Sequence, residues 1–260
     1  MRALYIVGPT GSGKSSLASL IAKSLNAEIV NADAFQLYKR IDVITAAPNS
    51  NELSRAPHHL YGVLDLDQES NAGKYSSLAK DKIKEIQNNK KLPIVTGGSG
   101  LYIKSLTHGL LDLPPVDETL RQDLEKLSIE ELVQKLIKID PEGALNMNLK
   151  NKRYVIRALE ISIQCGQPMS QIKNAWKQKT TSFNGLIIER PREELYQRID
   201  SRVIEMFNCG AVEEIKALPK NLSETAKKAI GIGEIQKYLN GEISLEESIS
   251  TIQKHSRNYA

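Results

Sequence analysis

Residues Gly8-Pro9-Thr10-Gly11-Ser12-Gly13-Lys14-Ser15 spell G-x-x-x-x-G-K-[ST] without a mismatch. Few sequence features constrain a fold more. Such a loop holds phosphate only when a strand delivers it and a helix starts inside it, so that backbone N–H groups turn inward at a helix N-terminus. Both flanks meet the requirement. Ala3–Val7 is a short apolar run that stops at glycine, as a buried parallel strand does. After it, Leu17, Leu20, Ile21 and Leu25 recur at helical spacing across Lys14–Leu25. In this arrangement Lys14 neutralises terminal phosphate charge, and the Ser15 hydroxyl is placed to ligate Mg2+.

The remaining pattern extends an α/β core. Glu28–Asn31 reads as a second strand, Lys80–Asn89 as a helix, Pro93–Thr96 as a third strand and Gly185–Glu189 as a further one. Glu193–Leu218 and Thr225–Leu239 read as amphipathic helices. Leu245–Lys254 reads as another, with Ser244 as N-cap. From the Leu113-Pro114-Pro115 break onward the character changes to helix rich in lysine and arginine. The expected architecture is a P-loop parallel β-sheet core with helices on both faces (1–112 and 183–260) and an inserted all-helical subdomain (113–182).

Other features narrow the class. The chain of 260 residues carries a net charge of +4, which permits a phosphate-rich partner without requiring one. Cys165 and Cys209 lie far apart and read as free thiols in a reducing cytosol. No apolar run is long enough to span a membrane, and Met1–Arg2 leads directly into the first strand, which reads as no signal peptide. Adjacent His58 and His59 point in different directions on any regular element, so they read as structural and not as paired metal ligands. The third strand ends in Thr96-Gly97-Gly98 where an ATP-hydrolysing motor would place a metal-holding aspartate. This fits a small-molecule kinase or an enzyme whose diphosphate is a leaving group. Asp33 follows the second strand, on the side of the sheet where ligands bind, and can serve there as a base or as a turn residue.

Together these segments resemble the tRNA dimethylallyltransferase (tRNA isopentenyltransferase) family. The resemblance rests on the P-loop, on Asp33-Ala34-Phe35-Gln36-Leu37-Tyr38, on Ile44–Pro48, on Pro57-His58-His59-Leu60 and on Thr96–Tyr102. It continues through Asn151-Lys152-Arg153-Tyr154-Val155-Ile156-Arg157-Ala158-Leu159-Glu160, through Arg198–Val203 with Met206, Gly210 and Glu214, and through Ala229-Ile230-Gly231. The order is kept over nearly the whole chain. Ala34, Ala47, Ser99, Gly62 and Ile232 depart from the usual family residues, and the family pattern runs on past Ala260 into a basic, aromatic segment.

The resemblance implies transfer of a dimethylallyl group from dimethylallyl diphosphate to N6 of the adenosine beside the anticodon, in a cytoplasmic, monomeric, Mg2+-dependent enzyme. Asp33 would be the catalytic base, with Lys14 and Thr10 beside it. Gly8 through Ser15, with Arg198 and Arg202 one helical turn apart, would bind the diphosphate, and Arg192 belongs to the same stretch. Asp33, Ala34, Phe35, Gln36 and Ser99 would meet the extruded base, while Arg121, Arg153, Tyr154, Val155, Ile156 and Arg157 would meet the anticodon stem-loop. Three other readings stand beside this one: an adenylate isopentenyltransferase acting on a free nucleotide, a P-loop kinase of a small metabolite, and a non-catalytic RNA-binding protein.

Overall fold

The computed structural model describes residues 3–111, 113–177 and 183–260. The chain divides into two compact units, Met1–Thr107 with Ser182–Ala260, and His108–Thr181.

The first unit is built on five parallel strands: β1 (Leu4–Val7), β2 (Glu28–Asn31), β3 (His58–His59), β4 (Pro93–Gly97) and β5 (Asn184–Ile187). Their order across the sheet is β3-β2-β4-β1-β5. β4 therefore lies between β1 and β2, and the crossover from β1 passes over it. Strand alternation divides the apolar residues between two faces. Ile6, Ile29 and Ile94 join Ala18 and Ala22 of the Lys14–Leu25 helix in one core cluster. Tyr5, Val30 and Val95 join Tyr75, Ala79 and Ile83 of the Ala72–Asn88 helix in the other. Both faces are covered, and the α/β class expected from the strand–loop–helix pattern is the class observed. The Gly100–Thr107 helix packs on the Ala72–Asn88 helix, and the chain leaves the core only at its end. The second unit accordingly begins at His108 and not at 113.

Two expected helices are each broken by a glycine. The segment read as Glu193–Leu218 is a helix over Arg192–Asn208 and another over Ala211–Lys216. Gly210 between them has φ 93°, a left-handed conformation that continues neither helix. The segment read as Thr225–Leu239 is helical only over Ala226–Lys228, as a 3-10 turn, and over Ile232–Leu239. The last helix runs Leu245–Tyr259, and Ser244 caps it in a reciprocal box with Glu247.

The second unit is all-helical among the described residues. Its core is formed by Leu132 and Leu136 of the Ile129–Ile139 helix against Val155, Ile156 and Leu159 of the Lys152–Cys165 helix. Glu160 is fully buried there and receives Arg121 through two hydrogen bonds, at 2.7 and 2.9 Å, and Arg157 at 3.1 Å. No helix among the described residues is long and apolar enough to cross a membrane.

Candidate functional site

At the carboxyl end of β1 the chain turns through Gly8–Gly13, and the Lys14–Leu25 helix begins with Gly13 at φ 93°. No side chain caps this helix, so its first N–H groups face outward into the loop. β4 ends beside it at Gly97. A side chain at Gly97 would put its Cβ 2.2 Å from the Ala32 carbonyl, so only glycine allows the ends of β4 and β2 to close together. Ala32 is bonded across this junction, giving its N–H to Thr96 O at 2.7 Å and accepting Ser99 N at 3.1 Å.

That closure places Asp33. Buried Asn31 holds the Asp33 peptide from both ends: its Oδ1 accepts Asp33 N at 2.8 Å, and its Nδ2 donates to Asp33 O at 3.1 Å. Asp33 Oδ1 accepts Phe35 N at 3.1 Å, an Asx turn that fixes the carboxylate. The carboxylate bears electrostatically on both Lys14 and Arg202.

Three arginines converge on the loop from the other side. Arg198 Nε donates to Gly11 O at 2.8 Å, Arg190 Nε to Ser12 O at 2.7 Å, and Arg202 Nη2 to the Thr10 hydroxyl at 2.7 Å. A Cβ added at Gly13 would lie 3.6 Å from Arg190 Nη2 and 3.7 Å from Arg198 Nη2. Burial pulls the Lys14 pKa below the ordinary lysine value; Asp33 opposes the shift and Arg202 adds to it. Burial likewise lowers that of Arg202, with Asp33 opposing. Two half-buried cations thus share the field of a single carboxylate. Three buried polar atoms here have no partner: Ser12 Oγ, Thr96 Oγ1 and Arg202 Nε. Buried polar groups are rarely left so unless a ligand completes them.

These residues border a cavity of about 750 Å3. One side is the polar cradle of Thr10, Lys14, Ser15, Asp33, Arg198 and Arg202; another carries Val43, Ala46, Ala47, Pro48 and Met206. A smaller space of about 60 Å3 shares Thr10, Asp33 and Arg202 and is bounded by Phe35, Ile230 and Tyr259. Burial raises the Tyr259 phenol pKa, as does Asp33, while a hydrogen bond with Ser99 works against them.

The expected site residues fall into groups. The P-loop, Asp33, Arg198 and Arg202 come together. Arg192 does not join them: its Nε donates to the Tyr196 hydroxyl at 2.7 Å, and its guanidinium stacks over that ring. Arg190 occupies the place instead. It follows β5, beside β1, so the rule that selected Asp33 beyond β2 also points to it. Ala34 donates its N–H to Ser99 Oγ at 2.9 Å, and Phe35 packs against the core. The Gln36 amide is committed to the carbonyls of Thr45 and Ala46, both at 2.9 Å, so it braces a loop and is not a free reader of a base. In the helical unit Arg153 and Tyr154 are exposed, whereas Val155 and Ile156 are buried. An RNA contact from Val155 or Ile156 is corrected on that ground, because both side chains fill the core. Arg121 and Arg157 are paired with Glu160. His58 and His59 are structural: His58 Nδ1 bonds Ala56 O at 2.8 Å and His59 Nε2 bonds Glu28 at 2.6 Å.

The IPP transferase family model matches residues 36–260. The chain belongs to that family. Among its relatives, the tRNA dimethylallyltransferase of Akkermansia muciniphila is 40% identical over 99% of this chain and 87% of its own length. The tRNA dimethylallyltransferase 1 of Citrifermentans bemidjiense is 38% identical over 100% and 87%. Among solved structures, a eukaryotic dimethylallyltransferase acting on tRNA superposes with a TM-score of 0.85 at 29% identity, covering 100% of this chain and 68% of that one. The tRNA isopentenylpyrophosphate transferase of Staphylococcus epidermidis superposes at 0.69 with 30% identity, covering 100% and 87%.

Proposed function

We propose that this member of the IPP transferase family is a tRNA dimethylallyltransferase that moves the dimethylallyl group of dimethylallyl diphosphate onto N6 of the adenosine beside the anticodon. The observation that carries the reading is the meeting of half-buried Lys14 and Arg202 with Asp33 at one cavity, with an apolar wall beside them. Excess positive charge at a cavity suits a diphosphate. The apolar wall suits five carbons. The carboxylate between them suits an amine that must lose a proton.

In the reaction the allylic C–O bond breaks and its electron pair leaves with pyrophosphate. Lys14, Arg202, Arg198 and the loop N–H groups stabilise that charge as it develops. The adenine N6 lone pair forms the new C–N bond, and Asp33 accepts the proton released from nitrogen. Arg202 holds the Thr10 hydroxyl at the neck shared by the two spaces, which orients it toward the reacting groups. Adenine must leave its stack to arrive there.

The residues present fit Mg2+. Among the described residues no three His, Cys, Asp or Glu side chains cluster as a metal cage, while the Ser15 hydroxyl lines the cavity as an oxygen donor. A magnesium ion held by few protein oxygens and by substrate phosphates requires no more. When bound, it supplies further charge neutralisation to the leaving pyrophosphate. The helical unit, through exposed Arg153 and Tyr154, grips the anticodon stem-loop. Such an enzyme works as a single chain in the cytoplasm.

The test is incubation with Mg2+, labelled dimethylallyl diphosphate and either tRNA or AMP, with Asp33→Ala alongside. Asp33-dependent label on tRNA is expected. Label on AMP alone would assign a free-nucleotide acceptor, and tRNA binding without transfer would reject the enzymatic reading.

A further inference from the structure

Much of the apolar wall of the large cavity comes from one loop segment, Ile41–Ala47, which lies outside any regular helix and is completed by Pro48 and by Met206 of the Arg192–Asn208 helix. Within the segment Thr45 N bonds Ile41 O at 3.2 Å, Ala46 N bonds Val43 O at 3.1 Å and Ala47 N bonds Asp42 O at 2.9 Å. Ala46 sits at φ 50°, a strained conformation for alanine. An isolated turn leaves both its first N–H groups and its last carbonyls unsatisfied, and it nucleates poorly by itself. Here both ends are satisfied from elsewhere. At the far end the Gln36 amide donates to Thr45 O and Ala46 O. At the near end the Glu214 carboxylate, on the Ala211–Lys216 helix, accepts Val43 N through Oε1 at 2.8 Å and Ile44 N through Oε2 at 3.0 Å.

We propose that Glu214 is a positioning residue for the donor: by clamping Val43 and Ile44 it fixes the wall against which the prenyl chain packs. The proposal rests on the reading of this cavity as a prenyl diphosphate site. Glu214 is absent from the cavity lining, whereas Val43, Thr45, Ala46 and Ala47 are part of it, so the effect of Glu214 on the donor passes through the turn. The cradle for the phosphates is built from other elements, β1, β5 and the Arg192–Asn208 helix, and does not depend on the clamp. Glu214 thus governs recognition of the carbon chain and leaves recognition of the diphosphate alone.

Two ligands separate these parts. Inorganic pyrophosphate touches only the cradle, and dimethylallyl diphosphate touches cradle and wall. Calorimetric titration of the full chain with each, in Mg2+, compares wild type with Glu214→Gln and Glu214→Asp. Glu214→Gln keeps the shape but turns one acceptor into a donor facing an N–H. Its affinity for dimethylallyl diphosphate is expected to fall roughly tenfold, the equivalent of one to two methylenes of lost burial, with pyrophosphate affinity unchanged. With tRNA, the donor KM should rise while kcat at saturating donor holds. Glu214→Asp, which retains two acceptors, should recover part of the loss. A melting temperature measured beside each titration identifies general unfolding. Equal weakening of both ligands, or of neither, would overturn the proposal. Failure of wild type to bind pyrophosphate would instead remove the cradle reading, and the proposal with it.

Discussion

Arg202 donates through Nη2 to the Thr10 hydroxyl at 2.7 Å and keeps its Nε buried without a partner. One guanidinium therefore positions a hydroxyl and holds a further donor in reserve for a ligand. Arg202→Lys keeps the charge but loses this fork, because an ammonium cannot hold two directions at fixed angles. Loss of one preorganised donor from a leaving-group site lowers turnover about 10^2- to 10^3-fold. Single-turnover rates at saturating donor should show that drop. An unchanged rate would mean that Arg202 serves only to hold Thr10.

Asp33 is fixed by Asn31 at both ends of its peptide and by Phe35 at its side chain. Asp33→Asn preserves these bonds in large part and removes the base. Transfer to tRNA should fall by about 10^2- to 10^4-fold, the usual worth of a positioned base. Donor binding should remain or tighten, since the variant removes a negative charge beside the cradle. Weaker binding of dimethylallyl diphosphate by Asp33→Asn would place the carboxylate in donor or metal binding and not in proton transfer.

Burial depresses the pKa of Lys14, and this gives a signed pH dependence. In the free protein Lys14 loses its proton at lower pH than an ordinary lysine. Between its folded and unfolded pKa values the unfolded chain binds the extra proton, so burial of Lys14 costs stability below that window and the cost is relieved as pH rises through it. Pyrophosphate requires the ammonium. Its affinity should therefore decline on the alkaline side before an ordinary lysine would titrate, and binding in that range should take up a proton. Calorimetry in two buffers of different ionisation enthalpy measures the uptake. Lys14→Arg, which stays charged, should abolish it.

What could be read from the sequence was local. The P-loop and its flanks occupy adjacent residues, and periodicity marks the Lys14–Leu25 helix and the Glu28–Asn31 strand. The rule that ligands gather at strand ends placed Asp33. What escaped lies between residues far apart in the chain. Arg190 meets Ser12, and Glu214 meets Val43, through contacts that leave no period in either segment. The breaks at Gly210 and Gly231 were signalled by the glycines, but apolar spacing on both sides, such as Val203 and Met206 before Ala211 and Ile215, imitates one continuous helix. Arg121 and Arg157 look like free cations in a basic stretch. Only the fold reveals that Glu160 lies buried between them.

That last arrangement separates two kinds of arginine in the helical unit. Arg121 ties the Glu118–Glu125 helix to Glu160, so Arg121→Met leaves the buried carboxylate with Arg157 alone and should reduce the unfolding free energy by about 2 kcal/mol, the worth of hydrogen bonds to a charged group. Chemical denaturation of the full chain measures it. Arg153 is exposed, and its removal should leave stability nearly unchanged. If Arg153 neutralises an RNA phosphate, Arg153→Ala should weaken tRNA binding for all sequences and lower the slope of log affinity against log salt by about 0.7 to 0.9. Arg121→Met should leave that slope as it is. A slope that changes for Arg121 and not for Arg153 would assign the phosphate contact to Arg121 and remove Arg153 from the RNA-binding face.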